Sequence, residues 1–320
     1  MEFEHLQTAV LFLVFNRPGK TEIVFDTIRK ARPPRLYVAS DGPRANRINE
    51  TAKVELVRKI STSVNWPCEL FTLFRGHNLG CKQAVSSAIS WFFEHEEQGI
   101  ILEDDCVPCQ SFYYFCESML NRFADDNRVM SICGTNVHPD STSVSGYCFS
   151  SYSLMWGWAT WKSAWEKYDK DLHTWPLNKA NDFLRNTLGF NRIQRAIWTD
   201  ILNKTYSGII DTWDYQWIYT CWVCGGLTVV PLSNLITNIG FEADATHTKL
   251  FQPVVGNLVC QEMTLTDNEA PPLVQPSEKM DYYISTLWFN CTAINYIKLL
   301  LLTRVPIVRT LKRLLRGSTA

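Results

Sequence analysis

Over the first 140 residues, hydrophobic positions switch between two periods. Short unbroken apolar runs at 8–15, 35–40, 69–74, 99–102 and 129–133 have the residue types of buried strands. Between them, helical spacing recurs at 21–30 (Ile23, Val24, Thr27, Ile28), near 52–60, from His77-Asn78-Leu79-Gly80 to about 93, and over 111–123. This alternation of strands with helical segments predicts an α/β fold with a mainly parallel, doubly wound sheet flanked by helices. After Gly134 the pattern changes. Residues 147–168 are dense in aromatics (Tyr152, Trp156, Trp158, Trp161, Trp165) and end in a helix-like stretch at 162–168. A helix is expected over 182–202, another from 211 to 222, a strand at 227–231, and loops at 238–241 and 245–247. The expected organisation is a nucleotide-binding half at 1–136, an aromatic-rich acceptor half of the same domain at 137–255, and a C-terminal extension at 256–320.

Composition places the chain among ordinary globular proteins, with 46% hydrophobic and 20% charged residues. A net charge of −1 argues against a general nucleic-acid binder. The charge is uneven. Beyond residue 281 there is no acid, but Lys298, Arg304, Arg309, Lys312, Arg313 and Arg316 are bases. Of 31 bases and 32 acids in all, the first 281 residues therefore hold 25 bases against 32 acids. The N-terminus lacks the basic and apolar regions of a signal peptide, and no apolar run reaches the length of a membrane span. Eleven cysteines, an odd number, fit reduced thiols in a cytoplasm. The pairs Cys106/Cys109 and Cys221/Cys224 offer a zinc or redox alternative, but they are far apart in sequence and buried free thiols fit better.

The strongest chemical signal ends the fourth strand, where Glu103, Asp104 and Asp105 follow the apolar run. Three adjacent acids repel one another, and burying them unpaired is costly. A hard cation such as Mn²⁺ or Mg²⁺ removes that cost, since carboxylate oxygens are its preferred ligands. A solvated acidic turn is the plainer alternative. Asn16-Arg17 and Ser40-Asp41 also fall just after strands, on the sheet edge where open α/β folds bind ligands. No Gly-x-Gly-x-x-Gly follows the first strand and no complete Gly-x-x-x-x-Gly-Lys-Ser/Thr phosphate loop exists, since Gly19-Lys20-Thr21 has Val14 where the motif's first glycine would stand, which disfavours a dinucleotide enzyme and an ordinary ATPase.

These features suit a nucleotide-sugar transferase. The cation bridges the donor diphosphate, Arg17 supplies a fixed positive group, and Asp41 accepts from base or ribose. The acceptor hydroxyl needs a carboxylate to take its proton, and Asp214 and Asp211 beside Trp213 are the candidates. Each is also a candidate helix N-cap, Asp211 more so than Asp214. Trp156, Trp158 and Trp213 offer faces for sugar stacking, although a tryptophan cluster is more often core.

Taken in order, the motifs of residues 8–250 resemble the GT-A-fold, Rossmann-like glycosyltransferases, and most of all the inverting β-1,2-N-acetylglucosaminyltransferases, as a bacterial-type relative. Asn16-Arg17 resembles that family's acid-arginine pair, Ser40-Asp41-Gly42 its uracil-binding aspartate turn, and Glu103-Asp104-Asp105 its form of the DxD motif. Trp156-Gly157-Trp158 resembles its Leu-Gly-Trp segment and Trp213-Asp214 its Trp-Asp base motif. The resemblance implies Mn²⁺ on Asp105, ribose and sugar contacts from Glu103 and Asp104, a UDP-sugar donor (GlcNAc by this likeness), and inversion. Asn16 stands where the family has an acid, and Tyr215 replaces the acid after the base. His247 is a further candidate at the diphosphate or metal, or a surface histidine.

In the tail, residues 305–315 would set Ile307, Val308, Leu311, Leu314 and Leu315 against Arg309, Lys312, Arg313 and Arg316. That is the composition of a basic amphipathic helix drawn to anionic lipid, or of a helix docked on protein. The expected partners are a UDP-sugar and a glycan or lipid-linked glycan acceptor, with the protein in the cytoplasm or peripheral on the inner plasma-membrane face. Two rivals remain, a sugar-phosphate nucleotidyltransferase and a non-catalytic carbohydrate-binding protein. The first usually carries a Gly-rich basic loop after strand 1, for which Asn16-Arg17-Pro18-Gly19 is a poor substitute.

Overall fold

A computed structural model describes residues 6–138, 146–241, 253–264 and 272–304. Ten strands and twelve α-helices are defined among them. The first half contains β1 (Val10–Val14), α1 (Pro18–Ala31), β2 (Arg35–Ser40), α2 (Glu50–Ser61), β3 (Glu69–Phe74), α3 (Cys81–Phe93), β4 (Gln98–Glu103), β5 (Cys106–Pro108), α4 (Gln110–Arg122) and β6 (Val129–Cys133). There follow β7 (Tyr147–Ser150), β8 (Trp158–Trp161), α5 (Lys162–Trp165), α6 (Trp175–Ala180), α7 (Phe183–Asn186), α8 (Arg192–Tyr206), α9 (Asp214–Val223), β9 (Leu227–Pro231) and β10 (Ile236–Asn238). Last come α10 (Pro253–Gly256), α11 (Glu278–Tyr283), a π-helical turn (Ile284–Trp288) and α12 (Ala293–Arg304).

The eight-stranded sheet has the order β3-β2-β1-β4-β8-β6-β9-β7. Strands β1 to β4 pair in parallel, as do β6 and β9; β8 runs antiparallel between β4 and β6, and β7 antiparallel to β9. Both faces are covered, which is why the central strands read as continuous apolar runs. Leu11, Leu13, Tyr37 and Ile101 point into one core with α3, α8 and α9, where Phe92, Trp198 and Trp217 are buried. Val10, Phe12, Val38 and Leu102 point into the other, with Phe25 of α1, Val57 of α2 and Phe112 of α4.

The aromatic half departs from the sequence expectation in several places. The helix expected over 182–202 is two helices, α7 and α8. Gly189 takes a left-handed φ of 64°, and Asn191 then starts α8 with a reciprocal capping box to Gln194. The 162–168 stretch is helical only over α5, and the helix expected from 211 starts at Asp214. Residues 158–161 read as an aromatic patch yet form β8, wholly buried between two strands. Residues 236–238, which carry no strand expectation and run into the segment read as loop at 238–241, form β10 against β5. The tail helix expected at 305–315 and His247 lie outside the described residues. The described C-terminal helix, α12, carries apolar side chains on both its inner and outer sides. Among the described residues no helix is long and apolar enough to cross a membrane.

Candidate active site

Glu103 is the last residue of β4 and pairs in register with Leu13 of β1. The chain turns at once, placing Asp104 and Asp105 against the segment that leaves β1. Asp104 is 6% exposed, and its Oδ2 accepts a hydrogen bond from the Phe15 N–H at 3.1 Å. Arg17, at the N-cap of α1 with Pro18 fixing the first turn, reaches across the strand ends. Its Nη1 lies 2.6 Å from Asp105 Oδ2 and 3.6 Å from Asp104 Oδ1. Arg17 thus faces three acids, and the Lys20 charge is also felt at Asp104. Burial, then the charges of Asp105 and Asp104, push the Glu103 carboxyl far above its usual range. Burial and Asp105 raise Asp104 to about 7. Burial alone would lower the Arg17 pKa, but Asp104 and Asp105 outweigh it and hold the guanidinium charged.

Asp105 is also embraced from β10. Its carbonyl accepts from the Ile239 N–H at 2.8 Å, and Gly240 N–H donates to Asn238 Oδ1 at 2.6 Å. A Cβ on Gly240 would collide with Asp105 Oδ2, so glycine is what lets this turn lie on the carboxylate.

Asp41, after β2, accepts from the N–H of Gly42 at 2.9 Å, from Leu79 N–H at 3.0 Å and from Asn78 Nδ2 at 2.8 Å. Burial still outweighs these bonds and raises its pKa. The aspartate therefore ties the β2 end to the loop before α3. Asn16 turns to a different partner, donating from Nδ2 to Glu50 Oε1 at 2.8 Å.

The two base candidates separate in the structure. Asp211 is exposed and accepts from Cys81 N–H at 3.2 Å and Lys82 N–H at 3.3 Å, so it caps α3 rather than its own helix. Asp214 is half-buried in the first turn of α9, its Oδ1 bonded by Thr212 Oγ1 and by Tyr215 N–H at 2.8 Å. Its neighbour Trp213 stacks on Trp158, which pairs with Ile101 two residues before Glu103, and after burial, Asp105 and Asp104 its charge adds to the rise in the Glu103 pKa.

The expected stacking tryptophans divide likewise. Trp158 and Trp213 are 0% and 3% exposed and stack on each other with centroids 5.6 Å apart. They belong to the core, and no face is left for a sugar. Trp156 is half-buried, edge-on to Phe241 at 5.3 Å and against Trp288 at 4.2 Å. Arg17, Asp41, Glu103 to Asp105, Trp156 and Asp214 thus gather along the edge formed by the carboxyl ends of β1, β2 and β4. Sequence reasoning missed Glu50, Asn78 and Gly240. Only Gly240, a glycine inside the segment read as loop at 238–241, carried a signal.

Among the described residues no group of three or more His, Cys, Asp or Glu side chains is set to hold a metal ion. All eleven cysteines are free. No protein-family profile and no curated protein matches the chain. Among solved structures, a cytidylyltransferase from Leptospira borgpetersenii serovar Hardjo-bovis is 14% identical with a TM-score of 0.32, over 56% of this chain and 73% of its own. Mouse xyloside xylosyltransferase 1 is 10% identical with a TM-score of 0.34, over 67% of this chain and 81% of its own. A UDP-glucose pyrophosphorylase in complex with UDP-glucose is 10% identical with a TM-score of 0.27, over 47% of this chain and 64% of its own. Likeness at this level carries no functional argument.

Proposed function

We propose that the protein is a metal-dependent, inverting glycosyltransferase that moves a sugar from a UDP-sugar, UDP-GlcNAc first among them, to a hydroxyl of a glycan or lipid-linked glycan. The observation that carries this is the meeting of Arg17, Asp41, the acid triplet and Asp214 along one sheet edge, beside one partly exposed tryptophan. The donor chemistry is what a hard cation takes, although no three of these acids are set around one point among the described residues. It is all carboxylate oxygen, and burial, then the neighbouring acids, raises the pKa of Glu103 and of Asp104, a cost that a bound cation would offset. Asp105 would hold the ion with the diphosphate, and a bound divalent cation would supply charge neutralisation at the leaving nucleotide.

The chain's own groups supply the rest. Arg17 positions the acids and offers its guanidinium to phosphate oxygen. Asp41, fixed by three donors, accepts a base or ribose hydrogen. Asp214 takes the proton of the acceptor hydroxyl from its place in the first turn of α9. Trp156 offers the sugar an apolar face. A nucleotidyltransferase is disfavoured by the connection from β1, in which Asn16 and Arg17 lead straight into α1 without a phosphate-wrapping loop.

Calorimetric titration with UDP and a UDP-sugar panel, with and without Mn²⁺, tests the reading. Mn²⁺-dependent binding lost in Asp105→Ala is expected. Asp214→Asn should keep donor binding while turnover falls at least about a hundredfold. No binding of any UDP species, or full turnover in Asp214→Asn, would overturn it.

A further inference from the structure

Helix α12 is apolar on the side the fold uses and on the side it does not. Its inner residues Asn295, Tyr296, Leu299 and Leu300 are half-buried, the helix packs on α8, and the Arg192 guanidinium lies 5.7 Å from the Tyr296 ring centroid. At about 100° per residue, Ile294, Ile297 and Leu301 fall on one outward stripe. They are 67%, 55% and 53% exposed, with Leu302 beside them. Core packing explains the inner side only. A contiguous outward stripe of branched apolar side chains marks a surface that meets something apolar.

The charge around the stripe selects its partner. Lys298 is exposed among these residues, and from residue 282 to the end the sequence holds six bases and no acid. Apolar side chains with bases and no acid suit an anionic bilayer, where the stripe enters the headgroup boundary and the bases meet lipid phosphate. A second copy of this stripe would instead set like charges against each other. The helix is also tethered next to the candidate site. Trp288, just before it, packs on Trp156 at 4.2 Å, and Phe289 lies against Trp198 at 4.7 Å and Tyr152 at 5.4 Å.

We infer that α12 docks the protein on an anionic membrane surface through Ile294, Ile297, Leu301 and Lys298. Where this rests on the proposed transferase activity, it narrows the acceptor to a lipid-linked glycan, presented at the surface on which Trp156 and the site are held.

The test is co-sedimentation of the full chain with vesicles of phosphatidylglycerol and phosphatidylcholine, against phosphatidylcholine alone, at low salt and at about 0.5 M. Binding only to the anionic vesicles, weakened by salt, is expected. The Ile297→Glu/Leu301→Glu double substitution should abolish it. Lys298→Ala, at an exposed position, should weaken it about fivefold and guards against misfolding of the double variant. Sedimentation equilibrium without lipid covers the alternative occupant. An intact chain that ignores anionic vesicles, or a dimer that the double substitution breaks, would overturn the inference, as would undiminished vesicle binding by both variants. No donor enters the assay, so its failure leaves the UDP titration standing, and the reverse holds equally.

Discussion

Glu50 shows how a single side chain outside the expected site can hold one together. It is buried at the start of α2, accepts from the Arg44 backbone N–H at 2.6 Å and from its guanidinium, and takes Asn16 Nδ2. These bonds, the Arg44 side chain first, lower its pKa from the ordinary carboxylate value to about 2. A carboxyl bound more weakly to its proton when folded adds stability above its unfolded pKa and loses it as pH falls toward the folded value. The contribution should therefore be full above about pH 4.5 and vanish toward pH 2. Because Arg44 is partly exposed, screening leaves about 2 kcal/mol of it. Glu50→Gln should cost that much in urea unfolding at pH 7 and flatten the acid limb. Equal pH slopes in the two proteins would remove Glu50 as the cause. Nothing in the sequence announced it, since its partners lie 6 and 34 residues away and follow no period.

Among the elements, α3 has its N-terminus held by a residue 130 positions later in the chain. Gly80, just before the helix, adopts φ 80°, and a Cβ there would stand 2.8 Å from Asp211 Oδ2, so the close approach requires glycine. Asp211→Ala should cost about 1 kcal/mol of stability, the usual worth of a cap. Once donor is saturating, turnover should stay within about twofold, because Asp214 carries the proton. Turnover falling as far as in Asp214→Asn would return the base role to Asp211. The same contrast explains what was readable at this scale. Strands β1, β2, β3, β4, β6 and β9 and helices α1 to α4 each carry their own period, so their positions could be read from local pattern. Strands β5, β7, β8 and β10 have three or four residues each and exist only through their partners. Trp158 looked like a ligand face because β8 is rich in aromatics; its neighbours β4 and β6 make it core. The site residues at strand ends were legible because an acid ending an apolar run is conspicuous. That Asp211 caps a distant helix was not.

For the molecule as a whole, strand order constrains how it can come apart. β8, from the aromatic half, sits between β4 and β6 of the first half, and β9 continues the sheet beyond β6. The β4 edge that carries Glu103 is therefore completed only by a strand some sixty residues further along the chain. Trp158 on that strand is buried in the same core as Leu11 and Ile101 of the central strands. Neither half can bury its sheet face without the other, because Trp198 of α8 and Trp217 of α9 share one buried core with Leu11, Tyr37 and Ile101. Unfolding in urea should then be a single transition. The chain supplies two probes that differ in place. Of its 12 tryptophans, only Trp66 and Trp91 precede residue 156, so indole fluorescence reports chiefly on the aromatic half. Far-UV circular dichroism reports on the helices of both. Coincident midpoints and slopes are expected. A fluorescence transition that precedes the dichroism would mean that the aromatic half opens alone, and that Asp214 can leave the acid triplet while Arg17 remains in place.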